Sequence, residues 1–151
     1  MGEALYKLKY QADWSQVAPL AAQVAESIVP LFDRVGLIIP MPASIVRRRQ
    51  PVNEIAEELG RAINVPVFAD LIVKATADTG GKQLKDMTTK AEKKAALMGR
   101  FTINDSIIDT ACWNALLLDD LYDTGATMEV ACAALRTYPK IEKVYVAALT
   151  W

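Results

Sequence analysis

Short apolar runs alternate with segments of helical periodicity, and this alternation constrains the fold more than any other feature of the chain. Each apolar run predicts a buried strand, and the runs cover 35–39, 66–73, 113–118 and 144–149. Helices are predicted before the first run and between the later ones, over 14–32, 51–63, 89–98 and 127–138. Such alternation is typical of an α/β fold with a mostly parallel central sheet and flanking helices. No linker or internal repeat interrupts it, so we expect one domain over residues 1–151.

Composition excludes several classes of function. The 17 basic and 18 acidic residues leave a net charge of −1, so we expect no direct binding to nucleic acid. The absence of histidine excludes histidine-ligated metals and Ser-His-Asp triads. Cys112 and Cys132 form no CxxC pair and are predicted to be buried, reduced side chains, which favours a cytoplasmic protein. No apolar stretch is long enough for a membrane span, and no signal peptide is evident.

The segment LLLDDLYDTGAT at 116–127 carries the clearest chemistry. An apolar strand closes on Asp119 and Asp120, and a loop of small residues then opens a helix. Backbone N–H groups of such a loop can converge on a phosphate at the helix N-terminus, where the helix dipole also favours an anion. The adjacent carboxylates would repel phosphate but suit ribose hydroxyls or a divalent cation. The segment therefore predicts a site for a sugar phosphate with an associated metal.

Two basic segments and an aromatic series are less specific. Arg47, Arg48 and Arg49 fit bidentate binding of pyrophosphate, although a solvated loop would look the same. The basic segment 74–87 could close over a leaving group through Lys82 and Lys85, or could be an ordinary surface loop. The aromatic residues spaced by four predict one helix face packed on the core, with base stacking as the alternative. These aromatic residues are Tyr6, Tyr10 and Trp14.

The 116–127 segment resembles the phosphoribosyl-pyrophosphate (PRPP) signature of type I phosphoribosyltransferases. The wider chain is similar to the ComF-like, competence-associated branch of that family. Three further segments occur in the same order as in that branch: LKY at 8–10, IIPMP at 38–42 and RRRQPVNEIAEELG at 47–60. The chain departs from that branch because it lacks an opening cysteine cluster and has RQPVNE where RGFNQ is common. It also ends directly after the fourth predicted strand, so we expect a small or absent hood, the part that grips the nucleophile.

The resemblance implies roles for individual residues. Asp119 and Asp120 would hold the ribose hydroxyls and the Mg²⁺ that accompanies PRPP. The loop residues that would wrap the 5′-phosphate are Asp123, Thr124, Gly125, Ala126 and Thr127. The segment in the position of the family's pyrophosphate loop is Pro40, Met41 and Pro42. Asp123 would also be the catalytic base that accepts a proton from the nucleophile, as in purine-salvage members.

The resulting expectation is transfer of a 5-phosphoribosyl group from PRPP to a nitrogen nucleophile, with release of pyrophosphate. The alternative is a non-catalytic PRPP- or nucleotide-binding module linked to DNA uptake. A phosphatase or receiver-type acid site is disfavoured, because the spacing from Asp119 and Asp120 to Asp123 gives no DxD arrangement. The sequence leaves open whether the protein forms a homodimer.

Overall fold

The computed structural model describes residues 1–45, 47–75, 89 and 98–150. Its α-helices, numbered in chain order, are α1 Gly2–Gln11, α2 Val17–Ser27, α3 Pro51–Ile63 and α4 Ala126–Leu135. Its strands are β1 Leu37–Pro40, β2 Ile72–Lys74, β3 Phe101–Ile103, β4 Trp113–Asp119 and β5 Ile141–Ala148. Short 3₁₀ turns flank α2, at Trp14–Gln16 and Val29–Leu31. The predicted α/β class with a parallel sheet and flanking helices is confirmed.

The central sheet has three parallel strands in the order β1-β4-β5. Pro40 pairs with Leu118 and Asp119 pairs with Ala148, so the three strands end at one common edge. Because ligands of parallel sheets bind beyond the carboxyl ends of the strands, this edge is where a site is expected.

Both faces of the sheet are covered, which explains why its strands have continuous apolar sequences. On one face, Ile38 and Leu116 pack with buried side chains of α1, α2 and α3. On the other face, Ile39 and Leu117 pack with α4 and with the small antiparallel sheet of β2 and β3. Alternate residues of a strand thus belong to different cores, as the period of two requires.

The structure corrects two predicted elements. The helix predicted over 14–32 is restricted to α2, and its extension is replaced by a 3₁₀ turn at Pro30, which has no N–H to continue the helix. The strand predicted over 66–73 is divided by a turn at 69–70. Its first part makes a parallel bridge from Val67 to Ile38, and its second part becomes β2 in the other sheet.

Three side-chain predictions are also wrong. Tyr6 and Tyr10 do not pack on the core: they are 56% and 69% exposed, and their rings contact each other with centroids 5.0 Å apart. Cys112 is exposed because it lies in the irregular segment before β4, whereas Cys132 is buried on α4 as predicted. The predicted basic loop beyond residue 75 and the helix predicted over 89–98 lie almost wholly outside the described residues.

Candidate functional site

A cavity of about 380 Å³ lies at the carboxyl edge of the parallel sheet. Three segments form most of its wall: 41–45 after β1, 50–53 at the start of α3, and 119–128 from the end of β4 into α4. The side chains of Lys9, Arg47 and Lys74 complete it. The topology therefore brings the acid pair, the small-residue loop and the segment after β1 to one hollow, as the sequence predicts.

Asp119 and Asp120 stand side by side on the wall. The N–H of Asp120 donates a hydrogen bond to Asp119 Oδ1 at 2.8 Å. Burial, and after it the neighbouring charge of Asp120, raise the pKa of Asp119 to about 6. A cation or a hydroxyl donor placed beside this pair would relieve the unfavourable burial of charge.

The loop after the acid pair leads directly into the N-terminus of α4. Gly125 is the N-cap residue with φ 76° and ψ −2°, a left-handed conformation that favours glycine. The ring of Tyr122 lies against Gly125, since a Cβ added there would be 2.8 Å from Tyr122 Cζ. Thr124 Oγ1 accepts the N–H of Ala126 at 3.4 Å. Because the first N–H groups of a helix have no intrahelical acceptor, this turn offers donors to an anion in the cavity.

The three consecutive arginines separate in the structure. Arg47 lines the cavity, and its Nη1 donates to the carbonyl oxygen of Lys9 at 3.3 Å. Arg49 instead makes two hydrogen bonds to Glu54, at 3.1 and 2.7 Å, and its guanidinium lies 4.0 Å from the centroid of the Trp14 ring. Arg48 is exposed and is not part of the cavity wall.

Two lysines were not predicted as site residues. Lys9 Nζ pairs with Asp120 Oδ2 at 2.7 Å. Lys74 Nζ donates to Ser44 Oγ at 2.7 Å, and burial, together with the charge of Arg100, lowers the pKa of Lys74. Lys74 is the first residue of the basic segment 74–87 and ends β2, but only Lys82 and Lys85 of that segment were predicted as contacts. Lys9 belongs to the LKY segment, but its pairing with Asp120 depends on the tertiary fold.

The other predicted residues are placed as follows. Met41, Pro42, Asp123, Thr124, Ala126 and Thr127 line the cavity. Pro40 is the buried last residue of β1 and does not reach the wall. Lys82 and Lys85 lie outside the described residues.

Asp119 and Asp120 are the cavity residues whose carboxylates could hold a divalent cation. In the described part of the chain, no group of three or more metal-ligating side chains is assembled. Mg²⁺ commonly binds through one or two carboxylates and completes its coordination with water and substrate phosphates.

Comparison of the chain with models of protein families and with curated proteins gives no match. Among the helices of the described residues, none combines the length and the apolar character that a membrane span needs.

Proposed function

We propose that this chain binds PRPP together with Mg²⁺ and transfers the 5-phosphoribosyl group to a nitrogen nucleophile, releasing pyrophosphate. One observation carries the proposal: a single cavity at the carboxyl edge of the sheet is lined by the acid pair and by the N-terminus of α4. These two features require opposite ligand chemistry, since one favours hydroxyls or cations and the other favours an anion. A phosphorylated sugar carries both kinds of group on one molecule.

The 5′-phosphate is assigned to the loop that ends in α4. Residues 123–127 all line the cavity, and the left-handed conformation of Gly125 turns the chain from the loop into the first turn of α4. The hydroxyls of Thr124 and Thr127 add side-chain donors to the backbone N–H groups of the first turn.

The ribose hydroxyls are assigned to Asp119 and Asp120, whose carboxylates accept hydrogen bonds at the end of β4. When bound, Mg²⁺ supplies positive charge that stabilises the negative charge developing on the departing pyrophosphate. The proposal also includes the finer fold expectation, a type I phosphoribosyltransferase-like domain with a small or absent hood.

The pyrophosphate is assigned to the opposite wall, formed by the segment after β1. Met41 and Pro42 lie there, with Arg47 and Lys74 as cationic side chains on the cavity. In the transfer step, the bond between the anomeric carbon and the pyrophosphate oxygen breaks, and a bond from that carbon to nitrogen forms. Asp123 lines the same cavity and is assigned as the base that accepts the proton of the nucleophile.

The direct test uses calorimetric titration with ribose 5-phosphate and with PRPP plus Mg²⁺, followed by pyrophosphate-release assays with a panel of nitrogen bases. We expect Asp120→Asn to weaken binding of PRPP with Mg²⁺ by about tenfold, the effect of one charged contact. Asp33→Asn is the matched control, because Asp33 is an exposed aspartate paired with Lys143 on another surface.

The outcomes separate the competing functions. Binding with pyrophosphate release supports the transferase. Binding of PRPP without release in the presence of any base favours the non-catalytic module. Failure of both ribose 5-phosphate and PRPP to bind contradicts the assignment of the cavity.

A further inference from the structure

We propose that Lys9 is a ligand-binding residue of the cavity, where its ammonium group joins Asp120 to an oxygen of the bound sugar phosphate and so couples helix α1 to occupancy of the site. The inference rests on the proposed function and adds to it a residue and a structural consequence.

The contact between Lys9 and Asp120 differs from an ordinary surface ion pair. The Nζ–Oδ2 distance is 2.7 Å, and the two side chains are only 23% and 19% exposed. Lys7 on the same helix also forms an ion pair, with Glu3, but there the side chains are 41% and 83% exposed. Lys9 therefore loses much of its contact with water, which a lone ion pair compensates poorly.

The position of Lys9 provides a reason for that desolvation. Its side chain lines the same cavity as the acid pair and the N-terminus of α4. A lysine ammonium has three N–H donors, and the ion pair with Asp120 uses one of them. The other N–H donors of Lys9 are at the wall of the cavity, where a ligand oxygen can accept a hydrogen bond from them.

Charge balance favours the same role. Two adjacent carboxylates would repel a phosphorylated ligand, and Lys9 offsets one of those charges at close range. Lysine is also a common point-charge ligand for phosphate oxygens. Lys9 thus lets Asp120 accept sugar hydroxyls while it makes the local field less unfavourable to anions.

Two kinds of contact hold the backbone of α1 near Lys9, so a ligand bound to the Lys9 side chain also restrains α1. Leu5 and Leu8 anchor α1 in the core, and Arg47 donates to the carbonyl oxygen of Lys9 at 3.3 Å. Arg47 is itself on the cavity wall. A ligand that contacts Lys9 and Arg47 would therefore hold the last turn of α1 against the sheet.

The test compares Lys9→Met with Lys7→Met, which removes the same charge from the same helix outside the cavity. The probe is ribose 5-phosphate without metal, measured by calorimetry. We expect Lys9→Met to weaken binding at least about tenfold, Lys7→Met to stay within about twofold of the unmodified protein, and Lys9→Arg to recover part of the loss. Lys9→Gln is a second neutral variant in case Lys9→Met does not fold.

A second readout separates ligand contact from a purely structural role. We expect ribose 5-phosphate to slow hydrogen exchange of the last-turn amides of α1 in the unmodified protein and in Lys7→Met, and not in Lys9→Met. Equal affinities of Lys9→Met and Lys7→Met, or tighter binding by Lys9→Met, would overturn the inference and leave the proposed function in place. If the unmodified protein binds neither ribose 5-phosphate nor PRPP, the proposed function fails and the inference fails with it.

Discussion

Helices α3 and α4 both begin at the same cavity, yet their first turns differ in what they offer a ligand. Helix α3 starts with Pro51 at its first position, and Gln50 precedes it in an extended conformation. Helix α4 starts after Gly125, which is left-handed, with Ala126 and Thr127 as its first residues. Proline supplies no N–H group, so the start of α3 presents those of Val52 and Asn53, whereas every one of the first residues of α4 carries one.

The comparison shows that topology brings a helix N-terminus to the edge of the sheet, and that the first residues decide how many N–H donors the helix presents there. At α3, Gln50 Nε2 donates to the carbonyl oxygen of Ile45 at 2.9 Å and closes the preceding loop on itself. At α4, the preceding loop opens on the cavity and follows the acid pair. The start of α3 therefore offers one N–H donor fewer than the start of α4, which is the helix to which we assign the 5′-phosphate in the proposed function.

The largest expected effect comes from Gly125→Val, which attacks the start of α4. A side chain at φ 76° is strained, and its Cβ would meet the Tyr122 ring at 2.8 Å and 3.1 Å. We expect affinity for ribose 5-phosphate to fall about 100-fold and the free energy of unfolding to fall by about 2 kcal/mol or more. Calorimetry and urea denaturation measure the two quantities.

Gly99→Val is the matched control for Gly125→Val. Gly99 has φ 77°, but no atom of the described residues lies within 4 Å of a Cβ added there. We expect Gly99→Val to lower the free energy of unfolding by about 1 to 2 kcal/mol through backbone strain, and to keep its affinity for ribose 5-phosphate. Comparable loss of binding in both variants would show that the effect at Gly125 is not local to the cavity.

The second prediction concerns the charge that precedes α4. Asp119 has a pKa of about 6 in the folded protein, above its ordinary value of 3.8, so the folded state binds more protons than the unfolded state between these pH values. The contribution of Asp119 to stability therefore falls as pH rises from about 4 to 6. Asp119→Asn removes this penalty, and we expect it to be more stable by about 2 to 3 kcal/mol at pH 7, with the gain vanishing towards pH 4.

Denaturant unfolding at pH 4, 5, 6 and 7 measures the gain. Asp33→Asn changes net charge equally at an exposed position. If Asp33→Asn shows the same pH-dependent gain, the effect reflects overall charge and not the buried carboxylate at the end of β4.

Sequence patterns predicted correctly those elements whose structure is determined by residues close together in the chain. The apolar run ending in two acids became β4, and Pro51 began α3 as its position required. The loop from 119 to 127 was predicted to line a site and does line the cavity, because a parallel strand must end at the ligand-binding edge.

The features that the sequence did not reveal depend on contacts between distant segments. Lys9 reaches Asp120 only because α1 packs beside the carboxyl edge of β4. The apolar run at 66–73 predicts one strand, but its residues are shared between two sheets. Arg47 and Arg49 belong to one run of identical residues, so the sequence cannot distinguish them. Only the structure shows that Arg47 lines the cavity while Arg49 pairs with Glu54.

Pro51→Ala tests the start of α3 directly, because it restores an N–H group at the cavity. We expect the free energy of unfolding to fall by about 0.5 to 1 kcal/mol, since proline restricts the unfolded chain. Affinity for ribose 5-phosphate should stay within about twofold of that of the unmodified protein. A clear gain in affinity would mean that the phosphate binds at α3 and that the contrast between the two helices is misassigned.

The smallest expected change is that of Arg49→Ala, which should lower stability slightly and leave ligand affinity unchanged. Arg49 is engaged by Glu54 and by the ring of Trp14, and an exposed ion pair of this kind contributes little. Arg47→Ala, a matched change two residues away on the cavity wall, should weaken PRPP binding by about tenfold. If Arg49→Ala weakens PRPP binding as much as Arg47→Ala, Arg49 leaves Glu54 when the ligand binds, and the segment before α3 then contributes to the site through both arginines.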